Sequence, residues 1–326
     1  MSSIRLFSNS GIYLDIKDHI LLEITKKCNY RCKHCFTNAG KPFKPELPLN
    51  LLRTLIEDSE KLNFKAITIS GGEPTLRKDL IDVLRLFSDS KLKVCLFTNG
   101  SRINEKNLRE MMKYVDSFAI SLDGDEKIHD ELRGKKGSFL EVKNAIGLFK
   151  KYNLNFLIQF MVTPFSWNKI DWIARFAMEN GAKVVRISHI SPQGKALRNK
   201  KYLLQEEKYP LLYEKISNLN KKYKKILFLT NVVHKKELKK YPDKYKTIAL
   251  HILPNGLILP WFNLSKKWAI GNLMKDSFVN IMKRFPQDPI FLRIKKLFEN
   301  SYLEGLNYKY EAVPLEDIVF KLSILP

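Results

Sequence analysis

Cysteine is scarce in this chain of 326 residues: there are four, and none follows Cys95. That is too few for a disulfide scaffold and fits a reducing compartment, where thiolates serve metal or catalysis. Long apolar runs are also missing. No window approaches the roughly 18 uninterrupted apolar residues of a membrane helix, and the start, MSSIRLFSNSGIYLDIKDH, has neither an apolar core segment nor a small-residue cleavage site. A cytoplasmic protein with no membrane partner is expected. Acidic residues are outnumbered, 34 against 57 Lys and Arg, for a net charge of +23. That surplus is either a general lysine-rich composition or a footprint for RNA, an acidic peptide or an acidic redox partner. Runs such as Lys221, Lys222, Lys224, Lys225 and Lys235, Lys236, Lys239, Lys240 read as solvated helix faces. No nucleic-acid motif accompanies them, so nucleic acid is not the expected partner.

Three of the four cysteines, Cys28, Cys32 and Cys35, fall within CNYRCKHC. A structural zinc site commonly takes four protein ligands in two separated pairs. Three thiolates this crowded leave a metal incompletely ligated, and an open coordination position serves chemistry. His34 offers a rival Cys3His zinc site, but adjacent side chains at 34 and 35 chelate poorly together.

Short aliphatic runs alternate with amphipathic segments from residue 19 to about 190, the rhythm of βα units and a parallel sheet. Expected strands are HILLEIT (19–25), KAITIS (65–70), KVCLFT (93–98), SFAISLD (117–123), FLIQFMVT (156–163) and KVVRIS (183–188), with five helices between them. Side chains alternate across a strand. Phe118, Ile120 and Leu122 therefore share a face opposite Ala119, Ser121 and Asp123, and Phe156, Ile158, Phe160 and Val162 lie opposite Gln159, Met161 and Thr163. Each strand has one greasy face for helices and one small or polar face for a hydrated concavity. The fold expected is α/β, a partial (β/α)6 TIM-like barrel over residues 1–200. Residues 201–326 form a smaller α+β region, with two short strands around a Pro-Asn-Gly turn.

CNYRCKHC, SGGEP, TNG and SLDGDEKIHDELRGKKGSF follow the first four strands in that order. In combination they resemble the radical S-adenosylmethionine (radical SAM) enzymes. PNGLILPW with AIGNLMKDSFVNIM is similar to the tail of the SPASM/twitch subfamily, many of whose members modify peptides or proteins. The resemblance implies that Cys28, Cys32 and Cys35 ligate one [4Fe-4S] cluster whose fourth iron chelates SAM. One electron then yields methionine and a 5'-deoxyadenosyl radical, which takes hydrogen from a substrate. It also implies that His34 sits beside the adenine, in a slot usually filled by an aromatic residue, and that Gly71, Gly72, Glu73 and Pro74 bind the SAM ammonium.

Ser121, Asp123 and Gln159 are candidates for the ribose and carboxylate of SAM, and Arg186 for a carboxylate of SAM or substrate. Each is equally readable as a buried residue satisfying a neighbouring strand. His129 and Arg133 match a subfamily signature and order their loop. Cys95 is a candidate hydrogen-atom donor, or a packing thiol in VCLF. The departure from the subfamily is in the tail, where the expected auxiliary-cluster cysteines are missing and Pro260-Trp261 stands at one of their positions. A fused peptide-recognition domain ahead of Cys28 is not expected, which weakens the case for a peptide substrate without excluding it. The expected substrate is a ribosomal peptide or protein, with a small molecule or cofactor precursor as the alternative. A non-catalytic iron-sulfur or zinc module that binds RNA is the reading from another class. A flavodoxin or ferredoxin-type protein is the expected electron donor.

Overall fold

The computed structural model describes residues 3–7, 13–43, 45–262 and 264–324. Two strands that no sequence pattern announced come first: β1 (Ser3–Phe7) and β2 (Tyr13–Lys17) form an antiparallel hairpin. All six expected strands then form within two residues of their expected ends. They are β3 (His19–Thr25), β4 (Ala66–Gly71), β5 (Lys93–Thr98), β6 (Ser117–Ser121), β7 (Phe156–Val162) and β8 (Val184–His189), parallel and in sequence order.

The helices between them are α1 (Leu49–Lys61), α2 (Leu80–Ser88), α3 (Glu105–Met111), α4 (Glu126–Arg133), α5 (Ser138–Lys151) and α6 (Ile170–Asn180). The greasy strand faces pack under these helices: Ile67, Ile69, Phe118, Ile120, Phe156, Ile158, Phe160, Val185 and Ile187 are all buried. Helix α4 is an addition to the five expected. The Asp125 carboxylate caps it by accepting from Ile128 N, and Gly134, at φ 64°, ends it in a left-handed turn.

The same sheet continues past residue 200. Helix α7 (Lys208–Lys222) returns the chain to β9 (Leu227–Leu229), parallel beside β8. Strands β10 (Val233–His234) and, later, β14 (Ala312–Val313) make a separate pair. At the other edge β11 (His251–Ile252) pairs parallel with β3, and β12 (Leu257–Leu259) turns back antiparallel across Pro254, Asn255 and Gly256. Strand β13 (Gly271–Asn272) ends that edge. Gly256 has φ +81°, and a Cβ there would meet Asn272 Oδ1 at 2.7 Å, so the expected turn needs its glycine. Helices α8 (Lys235–Lys240), α9 (Pro242–Lys246), α10 (Phe278–Arg284), α11 (Pro289–Leu306) and α12 (Leu315–Ile324) complete the described chain.

The sheet curls. Arg186 on β8 lies close enough to act electrostatically on His19 of β3 and Cys95 of β5, strands that a flat sheet would hold far away. The result is an open α/β barrel whose polar strand faces line a lumen. Among the described residues no helix is long and apolar enough to cross a membrane.

Candidate active site

The three-thiol loop leaves the carboxyl end of β3 and closes on itself. Cys28 N donates to Gly40 O at 3.1 Å and Gly40 N to Lys26 O at 2.9 Å, while Arg31 Nη1 donates to the carbonyls of Cys28 and Tyr30. The sulfurs accept N–H donors. Tyr30 N lies 3.4 Å from Cys28 Sγ, Ala39 N 3.4 Å from Cys35 Sγ, and Arg133 Nη1 3.9 Å from Cys32 Sγ. Burial pushes the Cys28 thiol up to about 11. A thiolate there requires a compensating cation, which metal ligation supplies. Among the described residues no three His, Cys, Asp or Glu side chains converge as a single ion requires. His34 turns aside, its Nε2 3.7 Å from Asp123 Oδ2. The three thiols with their donors fit an iron-sulfur cluster, whose corners stand apart, better than a Cys3His zinc ion.

Three neighbouring loops clasp this one at distances that exclude a Cβ. On Gly71 it would fall 2.3 Å from Thr25 O, on Gly72 2.3 Å from Lys27 O, on Gly134 2.5 Å from Arg31 O and on Gly194 2.3 Å from Phe36 O. The Gly194 contact escaped sequence reading. Lys195 N also donates to Cys35 O at 3.0 Å, and Asn199 Nδ2 to Lys33 O at 2.8 Å.

Glu73 is fully buried, and its carboxylate is occupied within the protein. Oε1 accepts from Thr75 Oγ1 at 2.6 Å and Thr98 Oγ1 at 2.8 Å, and Oε2 accepts from Asn99 N at 2.7 Å. Burial, set against these hydrogen bonds, leaves its pKa above the ordinary carboxylate value. Pro74, also buried, follows it into a single 3-10 turn. Glu73 thus clamps the SGGEP loop to the TNG loop, and Asn99 Nδ2 carries the link to Asn29 Oδ1 at 3.1 Å, inside the three-thiol loop. Thr98 and Asn99 belong to the TNG motif, but the sequence assigns no role to either. The signal is their place at the carboxyl end of β5, where Thr98 is the last strand residue and Asn99 the first beyond it.

After β6 a buried cluster forms behind Cys32. The Asp123 carboxylate, 0% exposed, accepts from Met161 N at 2.9 Å and stands 2.8 Å from Arg133 Nε. Asp123 N donates to His129 Nδ1 at 3.1 Å, which leaves the His129 proton on Nε2. Burial holds His34 down to about 4, Asp123 opposing and Arg133 adding to the shift. Burial followed by Arg133 holds His129 down to about 3. Both rings are neutral at pH 7.

Ser121 and Gln159 are register partners on β6 and β7, both buried, and Gln159 Nε2 donates to Arg186 O at 3.3 Å. Arg186 is exposed, its strand position facing the lumen. Cys95 is half-buried on the same inner side, three residues below the end of β5. Sequence reading missed one lumen pair. His251 Nε2 and Glu23 Oε1 lie 2.9 Å apart, both residues fully buried, on β11 and β3. Alternation along HILLEIT puts Glu23 on the face of His19 and Thr25, but its partner comes from 228 residues away.

Three loops converging on a three-thiol segment, at the carboxyl ends of a curled parallel sheet, define an α/β-barrel site built to hold a cluster and a ligand together. Residues 22–177 match the Radical SAM superfamily and form a radical SAM domain. The AdoMet-dependent heme synthase of Oleidesulfovibrio alaskensis is 29% identical over 193 residues, covering 58% of this chain and 50% of that protein. The mycofactocin maturase MftC of Mycolicibacterium smegmatis is 30% identical over 185 residues, 56% of this chain and 47% of that one. The chain thus matches about half the length of each relative. The fold matches Streptococcus suis SuiB bound to S-adenosylmethionine, with TM-score 0.71 at 18% identity over 87% of this chain and 69% of that one.

Proposed function

We propose that this chain is a radical SAM enzyme that binds one [4Fe-4S] cluster through Cys28, Cys32 and Cys35 and takes a hydrogen atom from a substrate held in the lumen. The observation that carries the reading is the Glu73 clamp. Four hydrogen bonds, from Thr75 N and Oγ1, Thr98 Oγ1 and Asn99 N, fix the glycine-lined cradle of Gly71 and Gly72 against the three-thiol loop, a rigidity a mere turn does not need. When bound, the cluster supplies the electron that splits SAM into methionine and a 5'-deoxyadenosyl radical.

The remaining work falls to this chain's own residues. Gly71 and Gly72 let backbone approach the SAM ammonium, and His34 offers a neutral flat ring to the adenine. Ser121 and Gln159 face the ribose and carboxylate of SAM. Asp123 fixes that wall through Arg133. Cys95, on the lumen side of β5, is the hydrogen donor that quenches a substrate radical.

The substrate we favour is a ribosomal peptide or protein, epimerised, crosslinked or otherwise modified. SuiB, similar in fold, has been crystallised with its precursor peptide SuiA, which supports this reading. The similarity to the heme synthase supports a second reading, a small molecule or cofactor precursor. No cysteine follows Cys95, so the region beyond residue 200 is a twitch or SPASM-like scaffold without an auxiliary cluster. The electron comes from a flavodoxin or ferredoxin-type protein in the cytoplasm. Incubating the anaerobically reconstituted protein with SAM and dithionite tests the chemistry. Formation of 5'-deoxyadenosine is expected, and its absence from a protein with a full cluster contradicts the proposal.

A further inference from the structure

The three sulfurs do not have equivalent neighbours. Cys28 Sγ accepts from Tyr30 N and Cys35 Sγ from Ala39 N, both at 3.4 Å, with the Thr37 hydroxyl 3.6 Å from Cys35 Sγ. Those partners are all neutral. Cys32 Sγ instead meets a charged group, Arg133 Nη1, at 3.9 Å. The backbone fixes this contact from both sides of Cys32. Arg133 ends α4, and Lys33 N donates to Leu132 O at 2.8 Å, which ties the last turn of the helix to the residue after Cys32. Gly134 then turns so close to the residue before Cys32 that a Cβ on it would fall 2.5 Å from Arg31 O. The guanidinium so placed is only 8% exposed, and its Nε stands 2.8 Å from Asp123 Oδ2.

A buried guanidinium is costly, and one carboxylate contact offsets only part of that cost. A neutral thiol adds little. A thiolate that ligates a cluster gives the guanidinium a second charge-assisted partner. Hydrogen bonds and charge beside the sulfurs are among the levers that set the potential of an iron-sulfur cluster. One-electron reduction makes the cluster more negative, so a cation at a ligand sulfur favours the reduced form. Buried as it is, that cation is poorly screened. Asp123 opposes it. Among the described residues, however, the Asp123 carboxylate contacts Arg133, His34 and Met161 N and no sulfur, so the nearer charge prevails.

We propose that Arg133 is a positioning residue for electron entry: held against Cys32 Sγ by the end of α4, it raises the reduction potential of the cluster. The step it eases is the transfer of one electron from the donor, which is oxidised, to the cluster, which is reduced. Asp123 limits the effect. This inference rests on the reading of Cys28, Cys32 and Cys35 as ligands of a [4Fe-4S] cluster, and its test needs neither SAM nor turnover.

The anaerobic holoprotein is titrated with dithionite in the presence of redox mediators, and the paramagnetic resonance signal of the reduced cluster gives the ratio of reduced to oxidised cluster at a fixed potential. Iron is counted in every variant. Arg133→Gln is expected to lower the ratio about tenfold, which is about 59 mV for one electron, and Arg133→Lys to retain most of it. Asp123→Asn leaves the guanidinium unopposed and is expected to raise the ratio. Opposite signs follow from charge and not from a packing defect. Lys33→Gln removes a positive charge next to Cys32 from a side chain exposed to water, and is expected to change the ratio by less than about twofold. An unchanged ratio in Arg133→Gln, an unchanged or lowered ratio in Asp123→Asn, or an equal effect of Lys33→Gln would overturn the inference. If Arg133→Gln loads no cluster, the sign in Asp123→Asn decides. A wild type that binds no [4Fe-4S] cluster would contradict the radical SAM reading as well, whereas a cluster whose potential ignores Arg133 would contradict this inference alone.

Discussion

Arg133 Nε stands 2.8 Å from Asp123 Oδ2, off the line of a directed hydrogen bond, and the pair is buried behind Cys32. Charge rather than hydrogen-bond geometry holds it. Removing one partner leaves an uncompensated charge in the interior, and such a loss costs about 3–5 kcal/mol. Arg133→Leu should lower urea stability by that much. Adding Asp123→Leu should recover most of the loss, because the orphaned charge goes with it. Additive losses in the double variant would mean that the two residues act separately.

Glu73→Ala removes the acceptor shared by Thr75, Thr98 and Asn99. The expected result is weaker SAM binding by tenfold or more, about 1.4 kcal/mol per decade, with the iron-sulfur absorbance retained. Equilibrium dialysis with SAM measures it. Unchanged binding would reduce SGGEP to a turn.

Helix α12 is pinned to β8 by His189 Nε2, 3.0 Å from Asp317 Oδ1. Burial pushes the imidazole pKa down, but Asp317, with Glu316 and Asn231 adding to it, drives the net shift up. A folded pKa above the unfolded value near 6.5 means that stability is fully present below that value and lost as pH rises through the folded one. The stability gap between wild type and Asp317→Asn in urea should therefore be larger at pH 6 than at pH 9. The difference is about 1.4 kcal/mol for each unit of elevation. A gap independent of pH would exclude a charged pin.

Cys95→Ala tests the proposed hydrogen donor. With substrate in deuterated buffer, turnover should persist while deuterium incorporation at the abstracted position falls. Wild-type incorporation would leave the thiol a packing residue.

The barrel was legible because strands of five or more residues carry an alternating pattern, and Ile67, Ile69 and Phe118, Ile120 showed which face packs. Strands β9, β11 and β13, of two or three residues, are too short to carry one. Their places beyond the six long strands of the large sheet, β9 and β13 at its edges and β11 between β12 and β3, depend on partners distant in sequence. Cys28, Cys32 and Cys35 stood out by spacing, and Glu73 by its motif, but what Glu73 holds did not. Thr98 and Asn99 reach it only because β4 and β5 are neighbours. The ties from Arg133 to Asp123 and Cys32 likewise required α4 to fold back over the loop. Gly124, at φ +147°, opens that return.

The most direct test of the account is iron and sulfide counting with Mössbauer spectroscopy on the anaerobically reconstituted protein, beside Cys28→Ala, Cys32→Ala and Cys35→Ala. The account predicts about four irons per chain in a single [4Fe-4S] cluster, lost in each variant together with 5'-deoxyadenosine formation. A full cluster in any of the three variants, or zinc in place of iron, would contradict it.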